Sequence, residues 1–163
     1  MKANKGLLII LNLILLLGYF TYATVKKEQI LNEGQLVLLE LAPVDPRSLM
    51  QGDYMQLNYA ISDEITNKSS VPIRGYCVVT LDEKNRASLV RFQKDRTPQS
   101  KGEFLIEYTK PKYWSINIGA ESFFFEEGQG KKYESAKYGA LRIDSKGNSV
   151  LVGLYDEKVQ EIK

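Results

Sequence analysis

The chain has 163 residues with 22 basic and 20 acidic side chains, a net charge of +2, one cysteine and no histidine. That balance leaves no basic stripe for nucleic acid, and the lone Cys77 excludes an intramolecular disulfide. Without histidine, Ser-His-Asp and Cys-His nucleophilic systems and the usual zinc or iron sites are excluded too.

Lys2 and Lys5 precede an almost unbroken apolar run from Leu7 to Val25, which Lys26, Lys27 and Glu28 close. At about 1.5 Å per residue, a helix of that length spans the ~30 Å hydrocarbon core of a bilayer. Asn12 is its one strongly polar interruption, and Tyr19 and Tyr22 fall near its far end, where amphipathic rings favour the headgroup layer. Two other readings compete. A cleaved signal peptide has a shorter apolar core of roughly 7 to 15 residues, and Thr21-Tyr22-Ala23 makes a poor cleavage site for one. A buried helix of a soluble core is seldom apolar on every face.

The run is therefore read as an uncleaved anchor. Residues 1–6 form a cytoplasmic N-terminus, 7–25 the transmembrane helix, 26–34 a juxtamembrane spacer, and 35–163 one β-rich domain facing the periplasm or cell exterior. The orientation rests on a narrow positive-inside margin, the N-terminal amine, Lys2 and Lys5 against Lys26 and Lys27. A domain of this size buries a core without disulfide or metal staples.

Past the anchor the pattern is almost entirely β. Gln35 to Leu41 is apolar enough for a buried strand. Tyr54, Gln56 and Asn58 alternate with Met55, Leu57 and Tyr59, a period of two with one face inward. Residues 76–81 and 86–92 pair across the turn formers Asp82-Glu83-Lys84-Asn85. Cys77, among apolar neighbours there, reads as a buried small hydrophobe. Phe104, Ile106 and Tyr108 mark a further strand, which Pro111 is expected to break after Thr109.

Gln129 to Lys137, with Tyr133 and Ala136 three apart, is the one helical candidate after the anchor. Tyr138 to Asp144 and Asn148 to Tyr155 make the clearest hairpin, closed by Ser145-Lys146-Gly147. About seven to nine short strands with regular turn signals predict a mainly β fold, an antiparallel sandwich or partly open barrel with one short helix.

The densest local signal runs from Ala42 to Tyr59. Pro43 and Pro46 stiffen its start, Gly52 permits a turn, and Asp53 is placed to bond backbone amides. Asp45 and Arg47 either form an ion pair that holds this corner or act as ligands for a polar partner. The octapeptide Gly52-Asp-Tyr-Met-Gln-Leu-Asn-Tyr59 resembles the signature of the GDYXXLXY proteins, which are bacterial and membrane-anchored. All five fixed positions are present as Gly52, Asp53, Tyr54, Leu57 and Tyr59. Pro43 to Leu49, Glu127 to Gly130, Tyr133-Glu134 and Tyr138 to Arg142 are similar to the rest of that family's pattern. The resemblance implies a multi-pass membrane protein as partner, and it carries over no catalytic residue.

A looser likeness is to type I signal peptidases, through Pro46 to Leu49 followed by Gly52-Asp53. Their serine lies eight residues before that glycine, where this chain has Val44, which has no nucleophile to offer. Ser48 with Lys94, Lys101 or Lys110 is the remaining serine and lysine scheme, and those lysines sit in polar surroundings unsuited to a depressed pKa.

The acids Asp45 with Asp53, or Glu126, Glu127 and Glu134, lack the aromatic surroundings of a sugar cleft. Gly128 to Lys132 lacks Walker spacing, and adjacent acids at Asp63-Glu64 or Asp82-Glu83 point to opposite sides of a strand end, unsuited to calcium. No catalytic residue, cofactor or metal is therefore expected.

Phe123, Phe124 and Phe125 cannot all bury their rings on one face of a strand. Trp114 and Phe124 are accordingly candidates for an interaction surface, with core packing the alternative for the individual rings. The expectation is a non-catalytic accessory subunit or interaction module for another membrane protein. The alternative is a signal-peptidase-like hydrolase or small-ligand binder.

Overall fold

A computed structural model describes residues 2–42, 54–65, 71–112 and 115–163. The N-terminal helix α1 runs from Lys2 to Glu33, 32 residues. At about 1.5 Å per residue it is roughly 48 Å long, more than a bilayer's ~30 Å hydrocarbon core. Among the described residues it is the one helix long and apolar enough to cross a membrane. Its apolar side chains from Leu7 to Phe20 are uncovered by the rest of the protein. The hydroxyls of Thr21 and Thr24 donate to the carbonyls of Leu17 and Phe20 at 2.8 and 2.9 Å, so they need no water.

The stretch expected to be a spacer is helical through Glu33. No glycine or proline interrupts it, and Ala23, Lys26 and Ile30, spaced three and four apart, turn toward the domain, with Ile30 buried. Gly34 ends the helix, its N–H donating to the Ile30 carbonyl at 2.9 Å. A Cβ at Gly34 would stand 2.3 Å from that same oxygen, so only glycine fits.

Nine strands in three antiparallel sheets follow among the described residues, and none of the sheets closes into a barrel. In the first, β1 (Gln35–Glu40), β8 (Tyr138–Ile143) and β9 (Ser149–Tyr155) lie in that order. The second has the order β4 (Ala87–Gln93), β3 (Arg74–Leu81), β5 (Glu103–Lys112), β6 (Ser115–Asn117). β2 (Tyr54–Gln56) and β7 (Ser122–Phe124) form a two-stranded ribbon.

The inner faces meet in one core: Val37, Leu39, Leu141, Ile143 and Leu154 from the first sheet, Cys77, Val79, Ile106 and Tyr108 from the second, and Met55 from the ribbon. β1 buries both faces at Val37, Leu38 and Leu39, and the β3–β4 turn pairs along its free edge, the Leu38 N–H donating to the Asn85 carbonyl at 2.8 Å. That turn is held by Asp82, whose carboxylate accepts from the backbone N–H groups of Lys84 and Arg86, with Asn85 at φ 60°.

Three expectations change. β5 continues past Pro111 to Lys112, the β5–β6 register shifting between Thr109 and Lys112, so the missing N–H falls where the ladder is already irregular. β2 is shorter than 54–59: the Leu57 N–H still bonds the Glu121 carbonyl in register with the β2–β7 ladder, and the chain then passes into a 3₁₀ turn at Ala60–Ile65. The face assignment survives regardless: Met55, Leu57 and Tyr59 are buried while Tyr54, Gln56 and Asn58 are exposed. The helix expected over 129–137 is a single turn, α2 (Gly130–Tyr133).

Candidate functional site

Of the octapeptide signature, Tyr54, Leu57 and Tyr59 are described; Gly52 and Asp53 lie outside the described residues, as do Asp45, Arg47, Ser48 and Trp114. Leu57 and Tyr59 are core residues. The Tyr59 hydroxyl donates to the Ala120 carbonyl at 2.6 Å, across 61 positions of sequence. Burial, with a lesser push from the Glu121 charge, raises the phenol well above its ordinary pKa, so Tyr59 stays a neutral donor. Its ring lies over Gly139, where an added Cβ would stand 2.9 Å from Cε1 and 3.1 Å from the hydroxyl oxygen. The signature and the Tyr138 to Arg142 segment therefore meet face to face, glycine making room for tyrosine.

The same β8 segment reaches α1. Arg142 donates from Nη1 to the Gly34 carbonyl at 2.7 Å, just past the end of α1. A cation at a helix C-terminus also opposes the partial negative charge of the unpaired carbonyls there. The Tyr133 ring closes the other end of the core, its centroid 5.0 Å from that of Phe123 and 5.4 Å from that of Phe125. Where they are described, the family-like segments thus hold the domain together and join it to its helix.

Tyr54 is the exception. It pairs with Phe124 across the β2–β7 ribbon, ring centroids 5.7 Å apart, and both rings face outward, with Phe124 73 % exposed. Phe123 and Phe125 turn to the core, so the run of three phenylalanines divides by the period of the strand.

The remaining candidates are dispersed. Cys77 is fully buried, and burial raises its thiol pKa. Lys94 and Lys101 are exposed and Lys110 half-buried, while Glu126, Glu127 and Glu134 are exposed. No three His, Cys, Asp or Glu side chains gather into a metal-sized group among the described residues.

The structure adds a feature that sequence reasoning missed. Two clefts, about 510 and 690 Å³, flank α1 where it meets the domain, and both are lined by Tyr22, Lys26 and Ile30. The signal was present in Ile30, which with Leu31 is apolar in an otherwise polar stretch and lies seven positions after Ala23 on the same helix face.

A family model described as GDYXXLXY protein matches residues 16–154, from the middle of α1 to the end of β9. No curated protein and no solved structure gives a significant match. The match covers the distal half of α1 together with all three sheets, and the chain belongs to the GDYXXLXY protein family.

Proposed function

We propose that α1 anchors the chain in the cytoplasmic membrane and holds the β domain on its outer side, where the domain serves as a non-catalytic accessory subunit for a multi-pass membrane protein. The observation that carries this reading is the division of labour in the signature. Leu57 and Tyr59 are committed to the core, whereas Tyr54 stands beside Phe124 as an exposed aromatic pair. Aromatic rings with one face free supply large contact area at low entropic loss, the usual chemistry of an interface centre. A domain tethered above the bilayer meets other membrane proteins at high effective concentration, so a small patch suffices. The N-terminal amine, Lys2 and Lys5 support a cytoplasmic N-terminus.

The test is a photoreactive residue at position 124, activated in native membranes. A crosslink to one multi-pass protein is expected, and Phe124→Ser is expected to abolish co-purification of that protein in mild detergent with stability changed by no more than about 0.5 kcal/mol. Recovery of the chain alone, or of the same partner with Phe124→Ser, would refute the proposal. Protease added to intact spheroplasts is expected to remove the Lys163 end, and its protection would reverse the orientation.

A further inference from the structure

The smaller of the two clefts lies between α1 and a wall built by the β8–β9 turn and the loop before β7. Its position follows from the helix. Tyr19 and Tyr22 belong to the apolar run and Lys26 and Lys27 end it, yet all four line this cleft together with Ile118 and Val150 of the domain. Because α1 is unbroken there, the cleft opens where the apolar run gives way to charge, the depth at which headgroups sit.

Its chemistry is graded in the same direction. From Tyr22 to Lys26 is one helical turn, about 6 Å, which carries the lining from an aromatic ring to an ammonium group. The domain wall is rigid: Glu121 accepts from the N–H groups of Ile118 and Gly119, and the Ser149 hydroxyl donates to the Ile118 carbonyl at 3.0 Å. Glu107 is the one acid along this cleft, against two lysines. The neighbouring cleft is lined by Lys26 together with Glu33 and Asp144, and the Asp144 carboxylate is engaged by the N–H groups of Lys146 and Asn148 and by the Asn148 side-chain amide.

We propose that the cleft between α1 and the β8–β9 turn binds an anionic phospholipid of the surrounding bilayer, with its phosphate on Lys26 and Lys27 and its glycerol and upper acyl atoms on Tyr22, Ile118 and Val150. The inference rests on α1 being a membrane anchor. A free phosphate would use the lysines and leave the apolar walls empty, and a zwitterionic lipid would use the walls and gain little from the lysines. The bilayer supplies the anionic lipid at the cleft mouth, so the site fills without a diffusing ligand. A bound lipid would wedge the domain against its own helix and fix its tilt above the membrane.

The experiment places the full-length protein in nanodiscs of mixed phosphatidylglycerol and phosphatidylcholine and reads the lipid retained by native mass spectrometry. One retained phosphatidylglycerol per chain is expected. Each lysine near an anionic surface contributes about fivefold in affinity, so Lys26→Gln with Lys27→Gln is expected to lower retention roughly 25-fold. Val150→Trp, which fills the cleft from the domain side, is expected to abolish retention while both lysines remain. Equal retention of the two lipids, unchanged retention in the double lysine variant, or displacement by glycerol phosphate would overturn the proposal. Should Val150→Trp fail to fold, the lysine pair on the exposed helix decides alone. Alkaline carbonate extraction separates the two readings: wild-type protein that washes out refutes the anchor itself, whereas protein that stays in the membrane without selecting the lipid refutes only the site.

Discussion

Gly139→Ala is the sharpest test of how the signature works. The new methyl carbon would stand 2.9 Å from Tyr59 Cε1, 3.1 Å from its hydroxyl oxygen and 3.4 Å from Cζ. Carbon atoms pack at about 3.5 to 4.0 Å, so the ring must retreat by at least about 0.5 Å. It has little room to do so, being 3 % exposed and pinned to the Ala120 carbonyl at 2.6 Å. Overpacking in a core costs about 1–3 kcal/mol, and a buried acceptor left unsatisfied costs about another 1–3 kcal/mol. The expected loss is therefore about 2–6 kcal/mol, a large fraction of an ordinary domain's stability of roughly 5–15 kcal/mol.

Urea unfolding of the full chain in detergent, followed by near-ultraviolet circular dichroism, measures it. Tyr59→Phe alone removes the hydroxyl and should cost about 1–3 kcal/mol. Combined with Gly139→Ala it should cost less than that, because the bond is already strained or lost, giving a coupling of about 1 kcal/mol between the two sites. A Gly139→Ala protein within about 0.5 kcal/mol of wild type, or strictly additive losses, would refute the wedge.

Other consequences follow from the same geometry. Arg91 on β4 grips Glu103 on β5 with two bonds of 2.6 and 2.9 Å, and the Ser100 N–H adds a third. The Arg91 bonds and then the Ser100 N–H hold the Glu103 carboxyl at about 2, below its ordinary 4.5. A depressed acid stabilises the fold above its unfolded pKa, and that contribution fades as pH falls from 4.5 toward about 2. Glu103→Gln should therefore lower stability at neutral pH and flatten the acid limb of the melting curve across that window; identical acid limbs would exclude the pair as a source of the slope. Arg142→Gln should loosen the junction between helix and domain. Hydrogen bonds to charged groups contribute about 1.5–3 kcal/mol, so amide exchange around Ile30 to Leu36 should quicken about tenfold or more, and unaltered exchange would show the cap to be idle. Cys77 should resist an aromatic disulfide reagent in the native state and react only on global unfolding, since its thiol is fully buried with a raised pKa; native-state labelling at the rate of a free thiol would contradict the core as described.

Local chemistry made much of this protein readable in advance. An apolar run long enough to cross a bilayer is a property of consecutive residues, and so is the alternation that sends Met55, Leu57 and Tyr59 inward. The β3–β4 and β8–β9 hairpins were equally legible, because Asp82 to Asn85 and Ser145 to Gly147 carry their turn chemistry within a few positions. β6 and β7, at three residues each, are too short to show a period, and the continuation of the helix to Glu33 is marked only by the spacing of Ile30 from Ala23 and the lack of a breaker before Gly34.

The sequence by itself determined the apolar run long enough to cross a membrane, the mainly β domain, the inward face of the signature and the kinship its octapeptide announces. Only the tertiary structure decided what those parts do to one another: that Tyr59 needs Gly139, that Tyr54 and Phe124 share one outer face, and that Arg142 closes the end of α1. The reason is physical. Such contacts depend on strand register and on packing between distant segments, as the 108 positions separating Arg142 from Gly34 make plain, and neither hydropathy nor propensity carries information over that span.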